Sequence, residues 1–405
     1  MALRAEIRHG PAFAVPLTQA PASLFSTGRR RTRPTMRSRL DSPDAPLTRA
    51  RRRSAGVPLA TLVLALAFWS GPAWAQDPTN DRFVEPAPQE VNAPATTGDD
   101  RGVFTLSVEN DIFGGTDRYF TNGLQLGWRS PSANPPGWLS WFGRAAAPFF
   151  PVGGATRWGV ALGHNIYTPE DTQTRTPDPD DRPYAAWLYG ALSLSSHTDT
   201  TLGLFELQLG VVGPSALGEE VQNNFHDLIE DRSAKGWDKQ IEDEPGVNLL
   251  IERKWRYNAT IDGDPRGFGI GVVPTIGASL GNVQTYGGVG VMGRVGWNLA
   301  ADFGPPRIRP AFAGTQFFEP GDSWGGYLFA SVDGRAVARD IFLDGNTTRD
   351  SRSVEKEPLV GDLAIGAVAI LGGTRIAYVH TFRTKEFEGQ RQGAQWGSVS
   401  LSLRF

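Results

Sequence analysis

From Val103 to the last residue the chain keeps a period of two, and that period constrains the fold more than any other feature. Phe104, Leu106 and Val108 interleave with Thr105, Ser107 and Glu109; Leu124, Leu126 and Trp128 with Gln125 and Gly127; Trp158, Val160 and Leu162 with Gly159, Ala161 and Gly163; Phe205, Leu207 and Leu209 with Glu206, Gln208 and Gly210. Strict alternation gives each segment one apolar and one small or polar face, the pattern of a strand with two different environments. Similar runs near 187–195, 247–255, 267–277, 287–298, 325–333, 360–371, 374–382 and 396–405 bring the total to about a dozen strands. After residue 75 no apolar run approaches the roughly 20 residues of a spanning helix.

A sheet of this size is either a soluble sandwich or a closed barrel in a membrane. The final strand decides: Val399, Leu401 and Leu403 alternate with Ser398, Ser400, Ser402 and Arg404, and the chain stops on Phe405. Such an ending closes a sheet with no unpaired edge and resembles the signal read by the barrel-assembly machinery of bacterial outer membranes, which is therefore an expected partner. The 12 Trp and 22 Phe include Trp128, Trp187, Trp297 and Phe382 at strand ends, where interfacial girdles are expected. The expected fold is an all-β antiparallel transmembrane barrel of about 12 strands. Small inward residues such as Gly159, Ala161 and Gly163 point to a filled interior.

The N-terminal part reads as a leader. Arg51, Arg52 and Arg53 precede an apolar run from Val57 to Trp69 and the small-residue site Gly71-Pro72-Ala73-Trp74-Ala75, the layout of a cleaved secretory signal. Residues 1–75 are expected to be this extension and signal, with Met36 as an alternative start. Residues 76–102, rich in Pro, Ala and Thr, are expected to be a flexible entry, and 103–405 the barrel domain. The leader holds 12 Arg against three acidic residues, so the formal charge of −3 conceals a mature chain of −12, and nucleic acid is not an expected partner. The absence of Cys removes thiol nucleophiles and thiolate metal sites.

One segment breaks the period. Between Ser215 and Asp231, Leu217, Val221, Phe225 and Leu228 recur at helical spacing, and Gln222 and His226 share a neighbouring face. A polar helix in a barrel chain is expected in a loop or folded against the lumen mouth. His226 is the one His of the mature chain with a polar helical partner; His197 lies in a turn and His380 in a strand. Gly277-Ala278-Ser279-Leu280-Gly281 matches G-x-S-x-G but is followed by a turn and a strand, whereas a nucleophile elbow needs a helix. The acidic run Asp178 to Asp181 lacks the Gly and the closing carboxylate of a calcium loop, with Pro183 and Tyr189 there instead. At the end of the first strand, Glu109-Asn110-Asp111 gathers short oxygen-bearing side chains able to hold a hard cation or orient water.

Five ordered blocks carry a family resemblance. They are Ser107 to Asp111 with Thr116 to Gly123; Asn165 to Pro169; Asp181 to Tyr184; Gly210 to Pro214; and Glu220 to His226 with Trp237 and Gln240 to Glu242. Over about 103–255 the chain resembles the outer-membrane lipid A 3-O-deacylase family. The resemblance implies an enzyme of the bacterial outer membrane that removes an ester-linked acyl chain from lipid A of lipopolysaccharide. It places the catalytic base on His226, an Asn-Asp pair on Asn110 and Asp111, a hydroxyl on Thr121 and a helix amide on Gln222. It also implies a divalent cation, calcium, with Asp111 as its ligand. The chain departs from the family in having His164 for Gln, Asn165 and Arg232 for acidic residues, and only Arg175 to stand in for a substrate-facing Lys. The same blocks are compatible with hydrolysis of phospholipid instead, and a non-catalytic barrel, porin or structural, is the rival class.

Overall fold

The computed structural model describes residues 99–405 apart from 115–118, 134–135, 146–148, 152, 229, 231, 313 and 322. The leader expected over 1–75 and nearly all of the entry segment lie outside the described residues. Order begins where the alternation does, with β1 (Val103–Asn110), followed by β2 (Tyr119–Arg129), β3 (Ala155–Thr168), β4 (Ala185–His197), β5 (Thr201–Val212) and β6 (Glu244–Trp255). Then come β7 (Tyr257–Thr260), β8 (Phe268–Gly281), β9 (Gln284–Trp297), β10 (Gly325–Asp340), β11 (Leu359–Leu371), β12 (Thr374–Arg383) and β13 (Ala394–Arg404). Helices α1 (Gly137–Ala145), α2 (Gly218–Leu228) and α3 (Ile341–Asp344) lie in connections.

Neighbouring strands pair antiparallel, and β1 pairs with β13 from Val103↔Arg404 to Asn110↔Gly397. The last strand thus closes the sheet, and Phe405 stacks on Phe104 with ring centroids 5.1 Å apart. β6 and β7 both pair with β8 and form one stave broken at Arg256, giving a closed barrel of twelve staves. The break has a cause inside the barrel: the Arg256 guanidinium donates to the carbonyls of Ala300 (2.6 Å) and Asp302 (2.9 Å).

The outward face of the strands is apolar and exposed, including Leu106, Leu126, Leu162, Leu209, Val291, Leu328, Ile365 and Leu401. A soluble chain would not leave so continuous a belt in water, and the belt is what a hydrocarbon layer requires. Trp128, Trp297 and Phe382 stand on this face as expected. Trp187 does not: it points inward, buried, and stacks on Tyr189 at 5.4 Å, because its position in the alternation has inward parity.

The interior is filled, and more thoroughly than the small residues suggested. A Cβ on Gly163 would fall 2.2 Å from the Tyr189 ring, so that glycine makes room for an inward aromatic. The connection 298–324, between β9 and β10, enters the lumen from the rim where β1 begins and β13 ends and buries Phe303, Phe312, Phe317 and Phe318. At its root the fully buried Asp302 accepts from Arg294, Arg375 and Tyr327, each at 2.9 Å. Higher up, Ile308 donates its N–H to Glu109 of β1 (3.0 Å), and Arg309 pairs with Glu252. Buried charges persist when each finds a partner, and these do.

Candidate active site

The candidate residues collect at the rim opposite the start of β1 and the end of β13, on the outer side of β1 to β4. β1 ends in Asn110, whose Oδ1 accepts the N–H of Ile112 (2.8 Å) and so turns the chain into a short 3-10 segment from Asp111 to Gly114. Short Asx side chains favour such turns because they replace a backbone acceptor. Glu109 faces the lumen, so alternation sets Asn110 on the outer wall, where it is buried, and Asp111 follows it, also buried. In β2 the register slips between Phe120 and Asn122, and Thr121 lies hydroxyl to hydroxyl with Thr168 of β3 at 2.7 Å.

The helical half of the site comes from the connection between β5 and β6. Gly213 (φ 104°) redirects the chain, and Ser215 binds Asp243 through both its N–H and its hydroxyl, each at 2.7 Å. α2 then lies against β3 and β4 on the outside of the barrel. The expectation of a helix in a loop holds, but the alternative place, the lumen mouth, does not, because the plug and inward side chains occupy the lumen. α2 buries Gly218, Gln222 and His226. A Cβ on Gly218 would come within 2.6 Å of both the Ala186 Cβ and the Trp237 ring, so only glycine lets the helix seat this closely.

Gln222 and His226 are each held on that face through one polar atom. Trp237 donates its indole N–H to Gln222 Oε1 (2.9 Å), while Gln222 Nε2 is buried with no hydrogen-bond partner among the described residues. His226 Nδ1 lies 2.9 Å from the Arg232 carbonyl oxygen. A carbonyl only accepts, so Nδ1 carries the hydrogen and Nε2 is the basic nitrogen of the neutral ring. Position 232, where the resemblance implied an acidic residue, therefore orients the imidazole through its backbone. Asn223 braces the same loop by accepting the Ala234 N–H (2.9 Å).

The structure thus brings Asn110, Asp111 and Thr121 to one side of β3 and Gln222 and His226 onto α2 at its other side. Sequence reasoning missed Thr168, and treated His164 only as a departure. Outward alternation on β3 could have flagged both: His164 donates to the Ala216 carbonyl (2.7 Å) and anchors the turn before α2. The loops above carry exposed Arg175, Arg232, Lys235 and Lys239, and Lys235 N–H donates to the Thr172 carbonyl (2.9 Å), tying the two loops together. Ser279 is buried within β8 and donates to the Gln284 carbonyl (3.0 Å), away from these groups. Asp181 is a loop brace, accepting the N–H groups of Glu170 and Arg182 (2.7 Å each), and burial raises its pKa.

Among the described residues no three His, Asp or Glu side chains form a metal cluster. Asp111 follows Asn110 at the end of β1, and Thr121 with Thr168 supplies two hydroxyl oxygens on the neighbouring strands. One carboxylate with neutral oxygens fits a hard ion such as calcium and not the nitrogen-rich demands of zinc or copper.

The chain matches the family model described as outer membrane protein LpxR over residues 61–405. Its fold is similar to the solved structure of LpxR from Salmonella typhimurium, with a TM-score of 0.59 and 21% identity, covering 75% of this chain and 100% of that one. A toluene transporter of Pseudomonas putida, TodX, is matched at a TM-score of 0.30 and 7% identity over 75% of this chain and 89% of that one, too weak to bear on function. No curated protein sequence matches the chain.

Proposed function

The chain belongs to the LpxR family of outer membrane proteins, and on that premise we propose that it is a lipid A-modifying ester hydrolase that removes the 3-position acyloxyacyl group of lipopolysaccharide. The observation that carries the reading is the orientation of His226, a buried imidazole whose Nδ1–H is committed to a carbonyl, which makes Nε2 the basic nitrogen of the ring.

In this mechanism His226 Nε2 takes a proton from a water as its oxygen adds to the ester carbonyl carbon. The carbon–oxygen ester bond then breaks, and the imidazolium returns the proton to the departing lipid A hydroxyl. A positioned general base contributes about 10²- to 10⁴-fold. Gln222 Nε2 supplies a preorganised donor for the developing oxyanion, with Trp237 fixing which way the amide faces. Thr121, held by Thr168, orients a neutral oxygen in the wall half of the site. Asp111, with Asn110, would hold a divalent cation, whose contribution when bound is Lewis-acid stabilisation of negative charge. The exposed cations Arg175, Arg232, Lys235 and Lys239 suit a phosphorylated head group, which the −12 of the mature chain would otherwise repel.

The test is mass spectrometry of lipid A and phospholipids from cells with and without the protein. Loss of an ester-linked acyl chain from lipid A alone, abolished by His226→Ala, is the expected result. Unchanged lipid A, or loss confined to phospholipid, would overturn the assignment.

A further inference from the structure

The faces of α2 are arranged unlike those of a surface helix on a soluble protein. Its buried face is polar, Gly218, Gln222 and His226, while its apolar residues are exposed: Leu217 just before it by 49%, Val221 by 40% and Leu228 by 79%. At 100° per residue these three and the half-buried Phe225 form one stripe beside the buried face, and Glu220, Asp227 and Glu219 occupy the remaining arc. A helix with a wall-side face, an apolar face and a charged face has its tilt and depth defined by a membrane surface.

The barrel wall under α2 shows the same need. On β9, outward residues from Gly287 to Trp297 span about 33 Å of strand, or about 25 Å along the membrane normal at the usual tilt, the height of an apolar layer. On β3 the bare stretch between Trp158 and His164 spans only about 20 Å of strand, or about 15 Å along the normal. Below it, Phe142 and Phe150 of the α1 region cover Phe205, with centroids 5.7 and 5.2 Å away, and expose Trp138 and Trp141. Above it, Ile166 and Ala186 are covered by Ala216, Ala234 and Trp237 of the α2 connection. On this side the wall alone is too short for the membrane, and the exposed apolar faces of the two helices make up the missing height. Two short connections, 198–200 and 372–373, lie on the rim where β1 begins and β13 ends, against one, 282–283, on the opposite rim, where the long connections 169–184, 213–243 and 341–358 gather; the first rim is therefore the periplasmic one and α2 lies at the outer leaflet.

We propose that the apolar face of α2, Leu217, Val221, Phe225 and Leu228, is embedded in the acyl layer of the outer leaflet, as a continuation of the lipid-facing wall. The partner is the acyl chains of membrane lipid. If the catalytic reading above holds, on which this second step rests, His226 then receives its ester from within the leaflet.

The chain has no cysteine, which allows clean labelling. Val221→Cys and Leu228→Cys, with Leu162→Cys as an embedded reference and Glu220→Cys and Asp227→Cys as aqueous references, are spin-labelled in vesicles of lipopolysaccharide and phosphatidylethanolamine. The expected ratio of oxygen to nickel-chelate collisions at 221 and 228 groups with 162 and exceeds that at 220 and 227 by at least about fivefold. Grouping with 220 and 227 overturns the proposal. In a second arm, Val221→Glu with Leu228→Glu should lower hydrolysis of vesicle-borne lipid A by at least about tenfold and leave a dispersed short-chain ester within about twofold. Equal loss on both substrates would overturn the delivery step. If the unsubstituted protein hydrolyses neither substrate, the catalytic reading fails while the label ratios still decide the insertion.

Discussion

The imidazole of His226 is oriented by a backbone atom: its Nδ1 donates to the carbonyl oxygen of Arg232, six residues on, at 2.9 Å. Many histidine bases are oriented by a carboxylate, which also stabilises the imidazolium. A carbonyl fixes the same tautomer without a full negative charge, so orientation here depends on the backbone path of the loop after α2.

Replacing His226 by Ala should lower kcat on lipid A by about 10²- to 10⁴-fold, the range of a lost general base. Because the barrel closes through strand pairing far from α2, heat-modifiable migration on gels should be unchanged. A variant that keeps activity within a few fold would remove His226 from the mechanism.

Gly218 tests whether the seating of α2 matters. Gly218→Val places carbon atoms where Ala186 and Trp237 already are, and overpacking of this kind costs about 1–3 kcal/mol. Activity should fall at least about tenfold with the barrel intact, and Trp237 emission should shift to longer wavelength as the indole is wetted. Unchanged emission together with unchanged activity would contradict the packing described.

Chelation should abolish activity, and calcium should restore it better than zinc, because Asp111, Asn110 and Thr121 offer hard oxygen donors. Asp111→Asn should raise the calcium concentration needed for half-maximal rate by at least about tenfold, since it removes the one carboxylate of the set. Full activity in excess chelator would sink the metal's role.

At the periplasmic end of the plug, Glu319 lies between His197 (3.3 Å) and Arg157. Burial alone would raise its pKa, but the hydrogen bond from His197 and the charge of Arg157 outweigh that and bring it down to about 2. A carboxyl with a lowered folded-state pKa stabilises the fold above its unfolded value, near 4.5, and that stabilisation is lost as the pH falls towards 2. Glu319→Gln should therefore cost about 2 kcal/mol at neutral pH and flatten the loss of thermal stability between about pH 5 and 2. Parallel curves for the two proteins would show that the pair contributes nothing.

Period two and the terminal strand were enough to specify a closed antiparallel barrel, because alternation between lipid and lumen is written locally, residue by residue. The ordered blocks singled out Asn110, Asp111, Thr121, Gln222 and His226 as candidates. What the sequence could not hold was which side of the wall α2 takes. Read alone, the spacing puts Leu217, Val221, Phe225 and Leu228 on one face and Gln222 and His226 on a neighbouring one, with nothing to say which is covered. The structure buries the polar face and exposes the apolar one, since the wall at Ala186 and Ile166 admits only Gly218 closely and the surrounding solvent is lipid. The plug at 298–324 was equally hidden, for its Arg and Asp partners lie on strands distant in sequence. Local periodicity records the medium each strand residue faces; pairings across the lumen, and the face a loop helix turns to a membrane, exist only once the barrel has closed.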